Sequence, residues 1–242
     1  MAGHSKWANI KHKKAKTDAQ KGKIYTKFSK MIIVAVRQGG PDPNANYKLK
    51  DIIEKAKAAN MPNENIIRAI KRGSGAQDGA DYEEIIYEGY GPGGVAVLLE
   101  VTTDNRNRTA GDLRHIFDKH GGNLGESGCV AWMFEKKGLI IIEKNDKIDV
   151  DEVMMIGIDA GADDVEEQDD SIEITTSPDN FESVKTVLEE HNLVMASSEI
   201  TYLPKTTVSL SGEDSEKIER LIEALEEHDD VQNVYTNYEP AD

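Results

Sequence analysis

The side chains with the clearest capacity for binding chemistry are the lysines at the start of the chain, which could bind phosphate groups. The first 16 residues contain five lysines and no acidic residue, and their low apolar content predicts a mobile arm. Lysines that neutralise phosphates of a nucleic acid release bound counterions, so such an arm binds polyanions in a salt-dependent manner. Trp7 could stack on a base or sugar, or it could anchor the arm to the rest of the protein. The candidate nucleic-acid-binding residues of this N-terminal arm (residues 1–16) are Lys6, Trp7, Lys11, Lys13, Lys14 and Lys16.

The basic character continues into a region with helical periodicity. From Thr17 onward, apolar residues recur at helical spacing with cations between them, and Gly39, Gly40 and Pro41 end the pattern. Two further helices are predicted over residues 46–61 and 62–73. A lysine-rich helix is usually only a solvated surface, but residues 1–37 hold ten basic residues against one acid and nothing local neutralises them. By charge alone, the candidate surface extends to Lys21, Lys23, Lys27, Lys30, Arg37, Arg68, Lys71 and Arg72.

A second polar cluster, TDNRNRT over residues 103–109, lies between a predicted strand and a predicted helix. Asn107 or Asp104 is expected to cap that helix. Arg106 and Arg108 could bind phosphate through their guanidinium groups or pair with neighbouring carboxylates, and internal pairing is the favoured alternative. The possible phosphate or partner contacts here are Asn105, Arg106, Asn107, Arg108 and Thr109.

Other reactive residue types have no arrangement that supports catalysis. The glycine-rich segment 89–94 joins two predicted strands and therefore indicates a hairpin turn, because a phosphate loop would open a helix. Cys129 with His115 or His120 is too unspecific a combination to indicate a nucleophile and base. The acidic run at 163–170 lacks the spacing of a calcium loop. We therefore predict no enzymatic activity, no cofactor, no metal and no small-molecule substrate.

The net charge is distributed very unevenly along the chain. The 242 residues carry −16 overall, but residues 1–75 carry +12 and residues 76–242 carry −28. Such asymmetry is typical of a nucleic-acid or membrane-surface contact confined to one segment. A membrane partner is disfavoured, because the sequence has no apolar run of roughly 18 residues and no signal peptide. The single cysteine fits a reducing compartment, so a cytoplasmic location is predicted.

The elements that would position these residues predict an α+β fold. After the three helices come a strand hairpin over residues 82–103, a helix over 107–121 and a strand over 129–135. The six elements that follow have the βαββαβ order of a ferredoxin-like domain, and a strand (206–211), a helix and a strand close the chain. The predicted domains are a basic arm and three-helix domain at 1–75, a split ferredoxin-like domain at 80–135 plus 205–242, and an inserted ferredoxin-like domain at 136–204.

Four stretches, together with the two closing βαβ units, carry a family resemblance that covers essentially the whole chain. The stretches are MAGHSKWANIKHKKAKTDAQKGK, AANMPNENIIRAIKRGSG, YEGYGPGGVAVLLEVTTDNRNRT and HGGNLGESGCVAWMFEKKG. They resemble the YebC/PmpR family, whose mitochondrial relative is the translational activator of cytochrome c oxidase subunit I. The resemblance implies a helical N-terminal domain followed by two α/β domains, with the basic N-terminus as the nucleic-acid contact.

Three functions are compatible with these observations. The first, which the resemblance implies for bacterial members, is a cytoplasmic DNA-binding transcriptional regulator. The alternative, which the resemblance also implies, is a ribosome-associated translation factor that binds rRNA or tRNA and assists peptide-bond formation at proline-rich stalls. A flexible lysine arm with one Trp suits irregular RNA, and the three-helix domain lacks a clear base-reading helix. A protein-interaction module that uses the predicted sheets is the third.

Overall fold

The computed structural model describes residues 21–75 and 81–241. They contain seven α-helices: α1 Lys21–Gly39, α2 Tyr47–Ala58, α3 Asn63–Ser74, α4 Arg106–Lys119, α5 Val150–Asp159, α6 Phe181–Glu190 and α7 Gly212–Glu227. Their strands are β1 Glu83–Tyr90, β2 Ala96–Thr103, β3 Asn123–Leu124, β4 Phe134–Glu143, β5 Asp164–Glu167, β6 Ser171–Thr176, β7 Met195–Pro204, β8 Val208–Leu210, β9 Val231–Thr236 and β10 Tyr238–Pro240. The predicted α+β class is confirmed.

The described chain divides into two compact units. One, the discontinuous unit, comprises residues 21–75, 81–131 and 210–236. The other, the inserted unit, comprises residues 132–209 with 237–240. The candidate residues singled out by charge within the described chain all belong to the discontinuous unit. None of the described helices combines the length and apolar content that a bilayer-spanning segment requires.

The three predicted helices are present and share one apolar core. Ile32 and Ile33 of α1 are buried against Leu49 of α2 and Ile66 of α3. Asn46 sets the junction between α1 and α2, because its Oδ1 accepts the N–H of Leu49 while its Nδ2 donates to two carbonyls at the end of α1. This buried amide thus caps α2 and ties its start to the last turn of α1.

Helix α3 lies very close to α1 at Gly73. A Cβ at this position would lie 2.7 Å from Cβ of Val36 and 3.0 Å from the carbonyl oxygen of Ile33. The glycine thus permits an approach that a side chain would prevent. The result is a closely packed inner face of α3, formed by Ile66, Ala69 and Gly73, and an outer face that points to solvent.

The sheet of the discontinuous unit has the order β3-β1-β2-β9, with antiparallel neighbours. The β1–β2 connection is the predicted turn, with Gly93 at φ 69°. Gly89 and Gly91 allow helices to pack close to the hairpin, because a side chain at either position would clash. A Cβ on Gly89 would lie 2.9 Å from the ring of Phe117 in α4, and a Cβ on Gly91 would lie 2.5 Å from the side chain of Ile218 in α7. The glycine-rich segment therefore serves packing as well as turning.

Two predicted strands differ in the structure. The strand predicted over 129–135 is wrong in its first part, since residues 131–133 form a short 3₁₀ helix and β4 begins at Phe134. The physical reason is the buried carboxylate of Glu88, which accepts the N–H groups of Gly128, Val130 and Ala131 at 2.6–2.7 Å and so removes them from strand pairing. The second is the strand predicted over 206–211, which is limited to β8. It pairs with β10 in a separate two-stranded sheet and is not part of the sheet β3-β1-β2-β9.

The inserted unit has the predicted βαββαβ order. Its antiparallel sheet runs β5-β6-β4-β7, which is the ferredoxin-like strand arrangement. The isoleucines on one face of β4 and β6 form a core with Val153 of α5 and with Phe181, Val184 and Leu188 of α6. Leu139 and Ile141, on the other face of β4, form a second buried cluster with Ala196 and Leu203, so both faces are covered and the apolar run of β4 is continuous.

The packing of α3 can be tested by adding one methyl group. We expect Gly73→Ala to lower the free energy of unfolding by about 1–3 kcal/mol, because the new Cβ forces α1 and α3 apart. Gly111→Ala is the matched control in α4, since a Cβ there meets no atom within 4 Å, and alanine should stabilise the helix by about 0.5–1 kcal/mol. Urea unfolding of both variants measures the difference. Equal effects at the two sites would contradict the close α1–α3 contact.

Candidate nucleic-acid interface

The structure divides the predicted basic surface into three groups. The arm residues Lys6, Trp7, Lys11, Lys13, Lys14 and Lys16 lie outside the described residues. The cations of α1 make contacts within the discontinuous unit, and those of α3 face solvent. Charge alone placed all three groups in one surface, so the distinction between α1 and α3 is new.

Three lysines of α1 contact the C-terminal end of α7. Lys23, Lys27 and Lys30 lie on one side of the helix, and each Nζ donates to a main-chain carbonyl between residues 226 and 229. The Nζ–O distances are 3.4 Å from Lys23 to Glu227, 2.6 Å from Lys27 to Glu226 and 3.0 Å from Lys30 to Asp229. Carbonyls at a helix C-terminus lack intrahelical donors and carry partial negative charge. The ammonium groups of Lys23 and Lys27 therefore stabilise the end of α7, and Lys30 binds a carbonyl two residues beyond it.

Asp230 is the centre of this contact. Its side chain is 6% exposed, and its Oδ1 lies 2.6 Å from Nζ of Lys30. On its other oxygen it accepts a hydrogen bond from the hydroxyl of Thr109 at 2.7 Å, and Thr103 lies 3.3 Å away. Burial works against the charged form, but the Lys30 and Thr109 hydrogen bonds outweigh it and hold the pKa of Asp230 at about 2. The carboxylate thus joins α1, the start of α4 and the loop before β9.

In the described chain, the TDNRNRT segment supplies three of the four side chains that contact the Asp230 carboxylate, namely Thr103, Thr109 and Arg108. The helix cap predicted at Asn107 or Asp104 is wrong, because α4 begins at Arg106 and Oδ1 of Asn105 accepts the N–H of Arg108 at 3.0 Å. Thr103 supports this cap by accepting the N–H of Asn105. The end of β2 at Thr103 therefore sets the capping position, which the composition of the segment alone could not locate.

The two arginines of the segment have different surroundings. The guanidinium of Arg108 lies 2.7 Å from Asp104 and 3.5 Å from Asp230, so the favoured alternative, internal pairing, is what the structure contains. Arg106 is exposed, and its carbonyl oxygen accepts the hydroxyl of Tyr87 at 3.3 Å. Asn107 is exposed in the first turn of α4. The segment is chiefly a structural element that holds Asp230.

The remaining α1 candidates lie at its two ends. Arg37 pairs with the exposed Asp81 at 3.1 Å, an arrangement that contributes little to stability because water screens it. Lys21 is exposed at the first residue of α1.

In the described chain, the outer face of α3 carries candidate cations that remain available to a partner. Arg68, Lys71 and Arg72 are exposed, and within the described part of the chain their side chains have no hydrogen bond or ion pair. Sequence analysis missed two further exposed cations of the same kind, Lys50 and Lys57 on α2. Their signal was present, since both lie outside the apolar stripe of that helix.

Catalytic groups are not assembled around Cys129. Burial and then the neighbouring carboxylate of Glu88 raise the pKa of the Cys129 thiol, which disfavours the nucleophilic thiolate. Nδ1 of His120 lies 2.8 Å from the carbonyl oxygen of Ile116 within its own helix. Across residues 21–75 and 81–241, no group of three or more His, Cys, Asp or Glu side chains is placed to hold a metal ion.

The Asp230 contact makes a prediction about acid stability. A carboxyl group whose pKa is depressed in the folded state contributes stability above its ordinary pKa of 3.8 and loses it as the pH falls towards 2. We expect Asp230→Asn to lower the free energy of unfolding at pH 7 by roughly 2–4 kcal/mol, since Lys30 would lose its partner in a buried site. The gap between variant and parent should narrow between pH 4 and pH 2. Asp229→Asn, an exposed neighbour, is the control and should stay within about 0.5 kcal/mol; equal losses in the two variants would exclude the special role of Asp230.

Comparison with known proteins agrees with the family resemblance. A family model described as the TACO1/YebC protein N-terminal domain matches residues 5–76, and a model described as the TACO1/YebC second and third domain matches residues 82–238. The chain is 59% identical to a protein of Pelotomaculum thermopropionicum, with 100% of both chains covered. It is 60% identical to one of Thermoanaerobacter pseudethanolicus, covering 100% of this chain and 98% of the relative. Both relatives are named probable transcriptional regulatory proteins.

A solved structure is also similar to this chain in fold and sequence. The crystal structure of a conserved hypothetical protein from Aquifex aeolicus is 48% identical and superposes with a TM-score of 0.83 over 94% of each chain. Family models, relatives and fold thus coincide over nearly every residue, and the chain belongs to the TACO1/YebC family.

Proposed function

We propose that this protein is a non-enzymatic, nucleic-acid-binding regulator of gene expression that acts in the cytoplasm. The observation that carries the proposal is that Arg68, Lys71 and Arg72 of α3 are exposed and have no partner among the described residues, in the same N-terminal region as a lysine-rich arm. The names of the relatives, probable transcriptional regulatory proteins, support the same class of function.

The contact is electrostatic. The arm and the outer face of α3 bind phosphates, and the lysines of α1 hold α7. In this proposal the N-terminal domain, residues 1–75, makes the contact. The split domain at 80–135 plus 205–242 and the inserted domain at 136–204 carry most of the acidic residues and stay clear of the polyanion. Lysine contacts to phosphates position a protein on a nucleic acid without reading its bases.

Two targets follow from this mode of binding. One is duplex DNA, as in a transcriptional regulator. The other is rRNA or tRNA on the ribosome, as in a translation factor that assists peptide-bond formation at proline-rich stalls. The second is favoured by the lysine-rich sequence of the arm and its Trp7, since single-stranded and irregular RNA offers unstacked bases to an aromatic side chain.

The two targets can be separated by sedimentation and binding. Cell lysate is fractionated on a density gradient, and the purified protein is titrated with ribosomes and with duplex DNA at about 0.15 M salt. Co-sedimentation with ribosomes and weak, sequence-indifferent DNA binding would exclude the transcriptional regulator. Tight binding to a particular DNA sequence without ribosome association would exclude the translation factor.

The arm has a quantitative test of its own. We expect alanine at Lys11, Lys13, Lys14 and Lys16 to weaken nucleic-acid binding and to reduce the slope of log affinity against log salt by about 3, because four phosphate contacts are lost. The control removes the same charge from the acidic residues 76–242, by alanine at Lys119, Lys147, Lys185 and Lys217. An unchanged slope in the arm variant would mean that the arm is not the contact.

A further inference from the structure

Among residues 21–75, helix α3 carries the exposed, unpaired cations that lie closest together in the sequence. Arg68, Lys71 and Arg72 occupy positions i, i+3 and i+4, which are neighbours on a helix surface with about 5–6 Å between their Cβ atoms. Ile67 beside them is 52% exposed. The helix therefore presents three positive charges and one apolar side chain to solvent over two turns.

This face is held rigidly from behind. Ile66 and Ala69 are buried in the three-helix core, and the close approach at Gly73 brings α3 against the backbone of α1. Helix α1 is in turn held to the end of α7 by Lys23, Lys27 and Lys30. The exposed cations thus project from a fixed support, which lowers the entropy lost when they bind.

The charges are arranged along α3 in a way that favours contact with a phosphate backbone. In a helix that enters the major groove of DNA, residues near the helix N-terminus contact base edges and residues near the C-terminus contact the backbone. Here the first turn carries the exposed acid Glu64, while Lys71 and Arg72 lie in the last turn. An acidic N-terminal end would be repelled inside a groove lined by phosphates, so groove insertion is disfavoured.

We infer, on the basis of the proposed function, that the outer face of α3 docks on the phosphate backbone of double-stranded RNA. A-form RNA has a wide, shallow minor groove with 2′-hydroxyls between its phosphates and is recognised mainly by shape. A compact cationic face on a rigid helix suits that surface. Ile67 packs against a ribose there, and no base is read.

The test uses the full-length protein and duplexes of about 20 base pairs, one of RNA and one of DNA with the same sequence. Fluorescence anisotropy gives the affinity at salt concentrations from roughly 0.05 to 0.3 M. The first variant has alanine at Arg68, Lys71 and Arg72. The matched control has alanine at Arg114, Lys119 and Arg220, which removes two arginines and one lysine from exposed positions of α4 and α7.

The α3 variant should bind duplex RNA roughly 100-fold more weakly at 0.15 M salt, with a salt slope reduced by about 2–3, because three phosphate contacts are lost. The control should change less than about threefold. A second variant, Arg68→Lys with Arg72→Lys, keeps the charges and should stay within about fivefold of the parent, since a lysine ammonium also binds phosphate as a point charge. Circular dichroism checks that all variants remain folded.

Each other outcome has a definite meaning. Unchanged RNA affinity in the α3 variant, combined with a loss in the arm variant, would overturn this inference and leave the proposed function intact. Tighter, α3-dependent binding of the DNA duplex would overturn the choice of RNA. A large loss in the lysine-substituted variant would show that binding requires the guanidinium fork and would contradict docking by charge alone. Failure of the parent protein to bind RNA, DNA or ribosomes would overturn the proposed function itself.

Discussion

The contact between Lys30 and the buried Asp230 is the interaction on which the arrangement of the discontinuous unit depends. A buried carboxylate is strongly unfavourable unless it is paired and hydrogen-bonded. Here one ammonium group and the threonine hydroxyls of TDNRNRT satisfy it, and three segments far apart in the sequence meet at one point. Because the neighbouring lysines bind the end of α7, the side of α1 they share is already occupied, and the exposed cations of the described helices 21–75 include those of α3 and two on α2.

Formal charge therefore overstates how much of a basic segment is available to a partner. Lys27 and Arg72 contribute equally to the +12 of residues 1–75, yet one donates to a carbonyl within the protein and the other faces solvent. The partner of Lys27 is a main-chain atom, which has no sequence signature. Only the assembled structure distinguishes a cation that holds the fold together from one that can bind another molecule.

Local sequence patterns were sufficient to predict the helices and strands, but they were insufficient to predict the contacts at their junctions. The three helices, the glycine-containing hairpin and the βαββαβ insert follow from periodicity and turn residues, and the structure contains them. The cap at Asn105 depends on where β2 ends. The loop at 128–131 depends on a carboxylate 40 to 43 residues earlier, and the use of Lys23, Lys27 and Lys30 depends on residues about 200 positions later. Such contacts bring together residues that no local window contains, so a single sequence does not reveal them.

The discontinuous connectivity has a consequence for synthesis. Chains emerge from the ribosome N-terminus first, so α1 and its core partners are complete long before α7, Asp230 and β9 exist. Until the last residues appear, the lysines of α1 have neither the carbonyls of α7 nor the carboxylate of Asp230 to bind, and β2 lacks its neighbour β9. The nascent protein therefore carries a larger uncompensated positive surface than the finished one, beside the RNA-rich particle that is making it. Completion of the chain removes that surface and leaves the cations of α3 exposed.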